Sequence, residues 1–490
     1  MNKKNAFSQK RSLLFLFAIL LLGIIVRFYN TPDRFGFDKD PTRDVLITIY
    51  GAENLSFPLI GPHSGIGSFT FGPWYYYFLI IFQLLFPFDY APFYFIPLFS
   101  LLFIIVMYFI GLVLRDEKLG VILALIAAIS PAQVGPTAGL SNPNLVSVHA
   151  ALSILIFLFY LRKQQPLWFS FVWGIILGIG INHHYQMLPL LLLPAVAFAL
   201  NFRKALKEIA ALFIGLVITF LPLLIFNFLS QWHTFWGIIA FIRERGGGIY
   251  IPNSWKIYLL SFWPTFWSYV LGVPVNIGVL YAILVVGSHG YYFFKKKLST
   301  DYLLLIGIFL IFFLGLRYYS GAREHYYLFF LHPFLMIFIG STFWYLFQNR
   351  LTGIIAVILI ALQVFFIFPE DLKRLDDRLD HLTIRNEAKR LINKFPSLSY
   401  ALYNCQDIEI NRAQGLAFFL YRQKKLSENG FKIGLVGPNT SCRLPQNVNK
   451  ELIPNILDFS QVTPSDLSQN GWRLITPKSV YTTTLEWWKK

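Results

Sequence analysis

The chain has 490 residues, of which 56% are hydrophobic and only 14% are charged. Soluble globular proteins carry a charged fraction near a quarter, so this composition excludes a water-soluble globule and indicates a polytopic membrane protein. The formal net charge of +17 does not indicate a nucleic-acid partner. The basic residues stand in short clusters between apolar runs, a pattern typical of topology determinants.

Apolar runs follow one another up to residue 368. A bilayer span needs about 20 apolar residues, and fewer where flanking groups reach the interface. The sequence predicts eleven spans, at residues 13–28, 91–114, 119–136, 144–161, 166–182, 187–201, 208–229, 273–294, 301–317, 326–347 and 351–368. The first is predicted to be an uncleaved helix, because no small-residue cleavage site follows it. Residues 1–368 are therefore predicted to form an α-helical polytopic membrane domain.

A twelfth apolar segment, residues 72–88, is short and is interrupted by Pro73 and Pro87. If it does not cross, the basic clusters of the short loops all fall on one side of the membrane, as the positive-inside rule requires. We therefore predict that residues 73–86 form a helix in the outer interface, with Trp74 and Tyr75 to Tyr77 as its aromatic belt. This topology places the protein in the cell membrane, with a cytoplasmic N-terminus and residues 29–90 as the first outer loop.

After Pro369 the composition becomes that of a soluble domain, with predicted strands at residues 431–436 and 472–475. Residues 369–490 are predicted to form a small α+β domain outside the cell. Both cysteines, Cys405 and Cys442, lie in it. An outer location allows them to form a disulfide, and two unpaired buried cysteines are the alternative.

Acidic residues are concentrated in the first outer loop. Residues 1–368 contain twelve, and five of these precede Phe71: Asp33, Asp38, Asp40, Asp44 and Glu53. Carboxylates at the edge of an apolar protein cost solvation free energy, which favours a functional role. Pro41 suits a first helical turn capped by Asp40, which places Asp40 and Asp44 on one face with Arg43 able to pair with either. A capping acid with a surface ion pair is the structural alternative.

The segment after these acids, SFPLIGPHSGIGSFTFGPWYYYFL, is rich in glycine and proline, as expected of a backbone folded tightly over a cavity. Later outer-loop motifs are SNPN (Ser141 to Asn144), GINHHYQMLPLL (Gly180 to Leu191) and REHYYLFFLHPFLMI (Arg323 to Ile337). Asn142 and Asn144 are predicted to cap the helix that follows them.

The run D-x-x-R-D, then PLIGP, FGPWYYYFL and these later motifs, resembles the GT-C superfamily of lipid-phosphate-sugar-dependent glycosyltransferases, such as protein O-mannosyltransferases and the aminoarabinose transferase of lipid A. The resemblance covers roughly residues 10 to 345. It implies a catalytic acid in the first outer loop, which falls on Asp40. Many relatives have an adjacent Asp-Glu pair, whereas Pro41 follows Asp40 here, so Asp38 and Asp44 are alternatives for a second acid.

The residues available fit this chemistry. An inverting transfer from a polyprenyl phosphate needs one base for the acceptor hydroxyl proton and a cation for the departing phosphate. Asp40 is the candidate base. The candidates for the phosphate are four outer-loop guanidinium groups, on Arg243, Arg245, Arg317 and Arg323, since guanidinium binds phosphate in a bidentate manner. For Arg243 and Arg245, a flexible charged loop is the alternative.

Further polar and aromatic side chains of the outer loops are the candidates for substrate binding: Arg43, His63, Tyr75, His183, His184, Tyr185, Glu324, His325 and Tyr326. The histidines and Glu324 could hold zinc or manganese. Hydrogen bonding to the acceptor or the phosphate is preferred, because neighbouring histidines on a helix point in different directions. No cofactor is therefore expected.

The predicted partners are a polyprenyl-phosphate-linked sugar, membrane lipid, and a protein, lipid or cell-envelope glycan acceptor. A transporter of polysaccharide or lipid-linked sugar is the main alternative. It is disfavoured because the charges gather at the outer mouth rather than at mid-membrane. A glycan polymerase typically has its large outer loop late in the chain, whereas the acid-rich loop here is the first. A non-catalytic membrane subunit is a further alternative.

Overall fold

A computed structural model of the chain describes residues 3–29, 31, 35, 39–65, 67–88, 90–162, 165–200, 205–244, 254–319 and 323–373. Beyond these it describes residues 385–386, 388–390, 392–393, 396–397, 399–405, 416, 418–425, 431–435, 452–453, 456–458 and 472–475.

Helices dominate the described residues. The main ones are α1 (Lys3–Phe28), α2 (Lys39–Glu53), α3 (Trp74–Leu85), α4 (Ala91–Leu114), α5 (Glu117–Ile129), α6 (Val146–Arg162), α7 (Leu167–His183), α8 (Leu192–Leu200), α9 (Ala205–Leu229), α10 (His233–Arg243), α11 (Trp263–Leu271), α12 (Val275–Phe294), α13 (Thr300–Tyr318), α14 (His332–Leu346) and α15 (Arg350–Lys373). Short turns cover Pro131–Val134, Gly135–Ala138, Asn142–Leu145, Tyr185–Leu191, Trp255–Ile257, Tyr258–Phe262 and His325–Leu331.

Seven of the described helices are long and apolar enough to cross a membrane, and a pair bent by 65° near Ser130 brings the number to eight if it counts as one span. Each of the eleven predicted segments contains helix, but Leu167–His183, Tyr185–Leu200 and Arg350–Phe366 are shorter than the other spans. The chain is thus a multi-pass helical protein, and the count of eleven crossings stays a prediction.

Glycine brings α7 and α9 into direct backbone contact. A Cβ on Gly174 would lie 2.1 Å from the carbonyl oxygen of Leu212, and one on Gly215 would lie 2.3 Å from that of Phe171. Small residues allow such close packing where lipid surrounds a helix pair, because the gain there comes from van der Waals contact. The polar C-terminal end of α7 is thereby held in place.

Five strands follow the helices: β1 (Tyr400–Cys405), β2 (Phe431–Leu435), β3 (Leu452–Ile453), β4 (Ile456–Asp458) and β5 (Trp472–Ile475). They form one sheet in the order β3-β4-β2-β1-β5, in which β1 is parallel to β2 and antiparallel to β5. β2 and β5 lie where the sequence predicted strands. Cys405 ends β1, whereas Cys442 lies outside the described residues, so the disulfide and the boundary at residue 369 stay predictions.

A C-terminal segment packs against the helix that follows the first span. Leu416, Phe418 and Leu420 are buried in one apolar cluster with α2 and α3. Tyr421 donates a hydrogen bond to the carboxylate of Glu53, the last residue of α2, and Arg422 lies 3.4 Å from the same carboxylate. α2 and residues 418–422 therefore lie at the same end of the helical bundle.

Candidate functional site

Arg43 joins the two predicted acids of α2. Its Nη1 lies 2.8 Å from Oδ1 of Asp40, and its Nη2 lies 2.7 Å from Oδ1 of Asp44. The interval of four residues places Asp40 and Asp44 near one helix face, as predicted, and Arg43, which is three residues after Asp40 and next to Asp44, pairs with both. The helix begins at Lys39, so Asp40 lies within the first turn. The prediction that Asp40 is the helix cap is wrong by about one residue, because the helical conformation starts before Pro41.

The two carboxylates differ in exposure. The side chain of Asp40 is 63% exposed, whereas that of Asp44 is 1% exposed. The hydroxyl of Tyr76 also donates to Oδ1 of Asp44, at 2.8 Å. Within the described residues Oδ2 of Asp44 has no hydrogen-bond partner. Burial raises the pKa of Asp44 to about 6, although Arg43 and Tyr76 both favour its ionised form.

The aromatic run at the start of α3 supports this acid. Tyr75 and Tyr76 are fully buried, and Asp44 lies within electrostatic reach of the Tyr75 hydroxyl. The prediction that Tyr75 and Tyr76 form an interfacial belt is therefore wrong. α3 turns these two side chains toward α2, where the buried carboxylate requires hydrogen-bond donors.

The glycine-rich part of the first loop is folded tightly, as predicted. Its two arms pair through the amide of Gly61 and the carbonyl of Phe71, at 2.9 Å, and Phe71 bonds back to Pro62 at 3.0 Å. A Cβ on Gly72 would lie 1.4 Å from Oδ1 of Asn182, so only glycine fits where the loop meets α7. His63 is half-buried in this loop, in an isolated bridge with Thr70.

The segment after α7 docks on the same loop. The His184 ring stacks on Phe71 at 4.7 Å and on Tyr327 at 5.3 Å. The hydroxyl of Tyr185 donates to the carbonyl of Thr70 at 2.8 Å. Gln186 then accepts from the amide of Phe329 at 2.8 Å. These contacts tie the first loop to the segment that carries Glu324, His325 and Tyr326.

The remaining predicted histidines are placed differently. His183 is fully buried, and its ring meets that of His149 at 4.9 Å. His325 is half-buried and stacks on Tyr269 at 5.0 Å. Glu324 is half-buried, whereas Tyr326 is exposed. The part of the chain that the structure describes contains no group of three potential metal-ligating side chains, and the expectation about cofactors stays a prediction.

Asn142 and Asn144 do not cap α6. Asn142 donates to the carbonyl of His183 at 2.5 Å, and Asn144 donates to that of Pro136 at 2.7 Å. The loop carbonyls next to them need donors, so both amides bond sideways instead of to their own helix. The SNPN motif therefore fixes the C-terminal end of α7.

Two of the predicted phosphate-binding arginines meet on one aromatic segment. The Arg317 guanidinium is buried and lies 5.2 Å from the ring of Trp255. That of Arg323 lies 5.5 Å from the ring of Tyr258. Arg243 is exposed at the end of α10. Arg245, like Asp38, lies outside the described residues.

The acids, the histidines and the arginines are thus linked by contacts. Phe78 of α3 meets the ring of His183 at 5.6 Å, and α3 is bonded to the acidic helix α2 through Tyr76 and Asp44. Gln186 connects this end to the segment that begins at Arg323. Sequence reasoning missed Tyr76 and Gln186. Their type and spacing alone give no signal, because each is defined by a contact with a distant segment.

This helical membrane domain shares its fold with solved members of the GT-C superfamily. The resemblance seen in the motifs is confirmed. A family model described as dolichyl-phosphate-mannose-protein mannosyltransferase matches residues 71–226. No curated protein matches the chain in sequence comparison.

Solved structures share the fold at low identity. The archaeal oligosaccharyltransferase AglB from Archaeoglobus fulgidus, in complex with an inhibitory peptide and a dolichol-phosphate, is similar with a TM-score of 0.54 and 10% identity, over 88% of this chain and 70% of that one. The apo form of the A. fulgidus oligosaccharyltransferase gives 0.51 and 12%, over 85% and 64%. ArnT from Cupriavidus metallidurans, bound to undecaprenyl phosphate, gives 0.50 and 13%, over 84% and 75%.

Proposed function

We propose that this chain is an inverting glycosyltransferase that moves a sugar from a polyprenyl phosphate to a hydroxyl group of a protein, lipid or cell-envelope glycan at the outer face of the membrane. The observation that carries the proposal is the pair of unlike carboxylates on α2. Asp40 is accessible to a substrate, and Arg43 connects it to the buried Asp44. Polyprenyl phosphates bound to two similar folds support the donor class.

Asp40 is the general base in this proposal. A base must come within hydrogen-bond reach of the proton that it removes, and only an exposed carboxylate can approach an acceptor from outside. Asp40 takes the proton of the acceptor hydroxyl, whose oxygen attacks the anomeric carbon of the donor sugar. The bond between that carbon and the phosphate oxygen breaks, and its electrons leave with the polyprenyl phosphate.

Asp44 has a positioning role instead. Its burial prevents contact with an acceptor, while its bonds to Arg43 and Tyr76 fix the guanidinium that holds Asp40. A base held in one orientation lowers the entropy lost on reaching the transition state. Asp38 has no place in this scheme.

The departing phosphate gains negative charge, which a nearby guanidinium stabilises. Arg317 and Arg323 are the proposed partners, because both lie against the aromatic segment Trp255–Phe262 and Arg323 directly precedes the segment bonded to Gln186. Arg243 is exposed at the far end of α10 and has no assigned part in this step. His184, Tyr185 and Tyr326 border the region in which the acceptor would lie.

The outer location is supported by the contact of residues 418–422 with α2. In the proposed topology the first loop and the region after residue 368 share the outer side, and the N-terminus is cytoplasmic. A buried contact between these two segments requires them to be on one side of the bilayer.

The test uses the purified full-length chain in proteoliposomes that contain polyprenyl phosphates carrying radiolabelled hexose or pentose. We expect release of free polyprenyl phosphate together with transfer of the label to an acceptor that is present in the same proteoliposomes. Label that crosses the bilayer while still attached to its lipid would instead identify a transporter. If none of the lipid-linked sugars tested is consumed, the proposal is contradicted.

A further inference from the structure

A second polar site lies at the other end of the bundle. Eight residues line a cavity there: Leu114, Arg115, Leu119, Ser299, Tyr302, Ser341, Trp344 and Tyr345. α4 begins near Phe93, which packs in the same cluster as α2, and ends beside this cavity. Its 24 residues span about 36 Å at 1.5 Å per residue. That length is close to the hydrocarbon thickness of a bilayer, so the cavity belongs to the face opposite Asp40.

Arg115 supplies the positive charge of the cavity. Its guanidinium carbon lies 4.0 Å from the centroid of the Trp344 ring. A stacked guanidinium keeps its N–H groups in its own plane, where they can bind an anion. The neighbouring carboxylate of Asp116 accepts from Nε1 of Trp344, at 3.0 and 3.1 Å, and from the amide of Leu119 at 2.9 Å. Both donors to the Asp116 carboxylate are therefore uncharged N–H groups.

Ser341 adds a buried hydroxyl. It is 4% exposed, and within the described residues its Oγ has no partner in hydrogen-bond geometry. The nearby hydroxyl of Tyr302 lies 2.5 Å from Nε2 of His289, whose Nδ1 faces the carbonyl of Val285 at 2.7 Å. Nε2 of His289 therefore accepts a hydrogen bond from the Tyr302 hydroxyl. Ser341 also meets the Tyr302 hydroxyl, and a hydroxyl can rotate so that it donates to a bound anion instead.

The N-terminus of α13 completes the site. Ser299 caps this 19-residue helix and lines the cavity, and the first amides of a helix carry partial positive charge. The acid of this turn, Asp301, pairs with Arg162 at 3.3 Å. A run of three lysines, Lys295 to Lys297, follows α12. Tyr292 of that helix stacks on Tyr345, a residue of the cavity wall, at 3.7 Å.

We propose that this cavity binds a phosphate group at the membrane face opposite the acidic helix. Arg115, the Ser341 hydroxyl and the start of α13 are its donors. The headgroup of an anionic phospholipid and free inorganic phosphate offer the same chemistry. The site is independent of the proposed sugar transfer, and binding alone can test it.

The experiment is native mass spectrometry of the full-length protein in detergent with dioleoylphosphatidylglycerol, and with dioleoylglycerol as a lipid without phosphate. Arg115→Met should lower the bound phosphatidylglycerol by about tenfold, and Ser341→Ala by about threefold, from the loss of a charged and of a neutral hydrogen bond. Lys118→Met is the matched control, since Lys118 is exposed in the first turn of α5, three residues from Arg115, but does not line the cavity. It should change binding by less than about twofold.

Inorganic phosphate then separates the two sources. Displacement of the lipid at millimolar phosphate means that the site accepts the free anion, and retention of the lipid means that it requires the headgroup with its chains. Equal losses for Lys118→Met and Arg115→Met, or equal binding of dioleoylglycerol, would overturn the proposal. If Arg115→Met does not elute as a folded protein, Ser341→Ala and Arg115→Lys provide the same comparison.

Discussion

Replacement of Asp44 by asparagine tests the electrostatics of the acidic helix. In the folded protein, burial raises the pKa of Asp44 from 3.8 to about 6. Between about pH 4 and pH 6, the folded state therefore holds a proton that the unfolded state releases, and the wild type loses stability as the pH rises. At 1.36 kcal/mol per pKa unit, the loss approaches about 3 kcal/mol.

The asparagine amide does not titrate in this range, so the Asp44→Asn variant escapes this loss. The unfolding temperature of the wild type minus that of Asp44→Asn, measured by tryptophan fluorescence in detergent, should accordingly fall from pH 4.5 to pH 7. Tyr76→Phe removes a hydrogen bond to the ionised form, which raises the pKa of Asp44 further and extends the wild-type loss to higher pH. A rise of this signed difference with pH, meaning that the wild type gains stability relative to Asp44→Asn, would show that Arg43 outweighs burial and would refute the reasoning.

Two further substitutions test the loop and the phosphate site. Gly72→Ala places a methyl group against Asn182 and should destabilise the protein by about 1–3 kcal/mol in thermal unfolding. Gly65→Ala is the control and should have little effect, because no atom lies within 4 Å of a Cβ at that position. Equal effects of the two substitutions would argue against a tight contact between Gly72 and Asn182. Arg323→Met should lower kcat/KM for the lipid-linked donor by about tenfold or more, and Arg323→Lys should recover part of the loss. An equal loss in Arg243→Met would contradict the proposal that Arg323, and not Arg243, binds the departing phosphate.

Local spacing predicted the acidic helix well. The interval of four residues places Asp40 and Asp44 near one helix face, and the interval of three predicts the ion pair between Asp40 and Arg43. The exposure of the two acids could not be predicted in the same way. It depends on Tyr76, which is 32 positions from Asp44, and on a helix whose orientation the sequence pattern leaves open.

The predictions of an aromatic belt and of asparagine helix caps were wrong for a related reason. Tyrosines next to a membrane and asparagines before a helix each have a common local role. Here the tyrosines face a buried carboxylate, and Asn142 bonds to a carbonyl of α7. Tertiary hydrogen bonds to buried groups overrode the local preference, because an unsatisfied buried polar atom costs more than a missing cap.

The rate of sugar transfer by the Asp40→Asn variant tests the central claim most directly. That claim is that an accessible acid on α2 removes the proton of the acceptor hydroxyl. With the donor identified, the variant should bind the polyprenyl-phosphate sugar with unchanged affinity and lose at least about a hundredfold in transfer rate. Glu117→Gln, at the N-terminus of α5, is the control and should retain the wild-type rate. Full transfer by Asp40→Asn would contradict the assignment of Asp40 as the base.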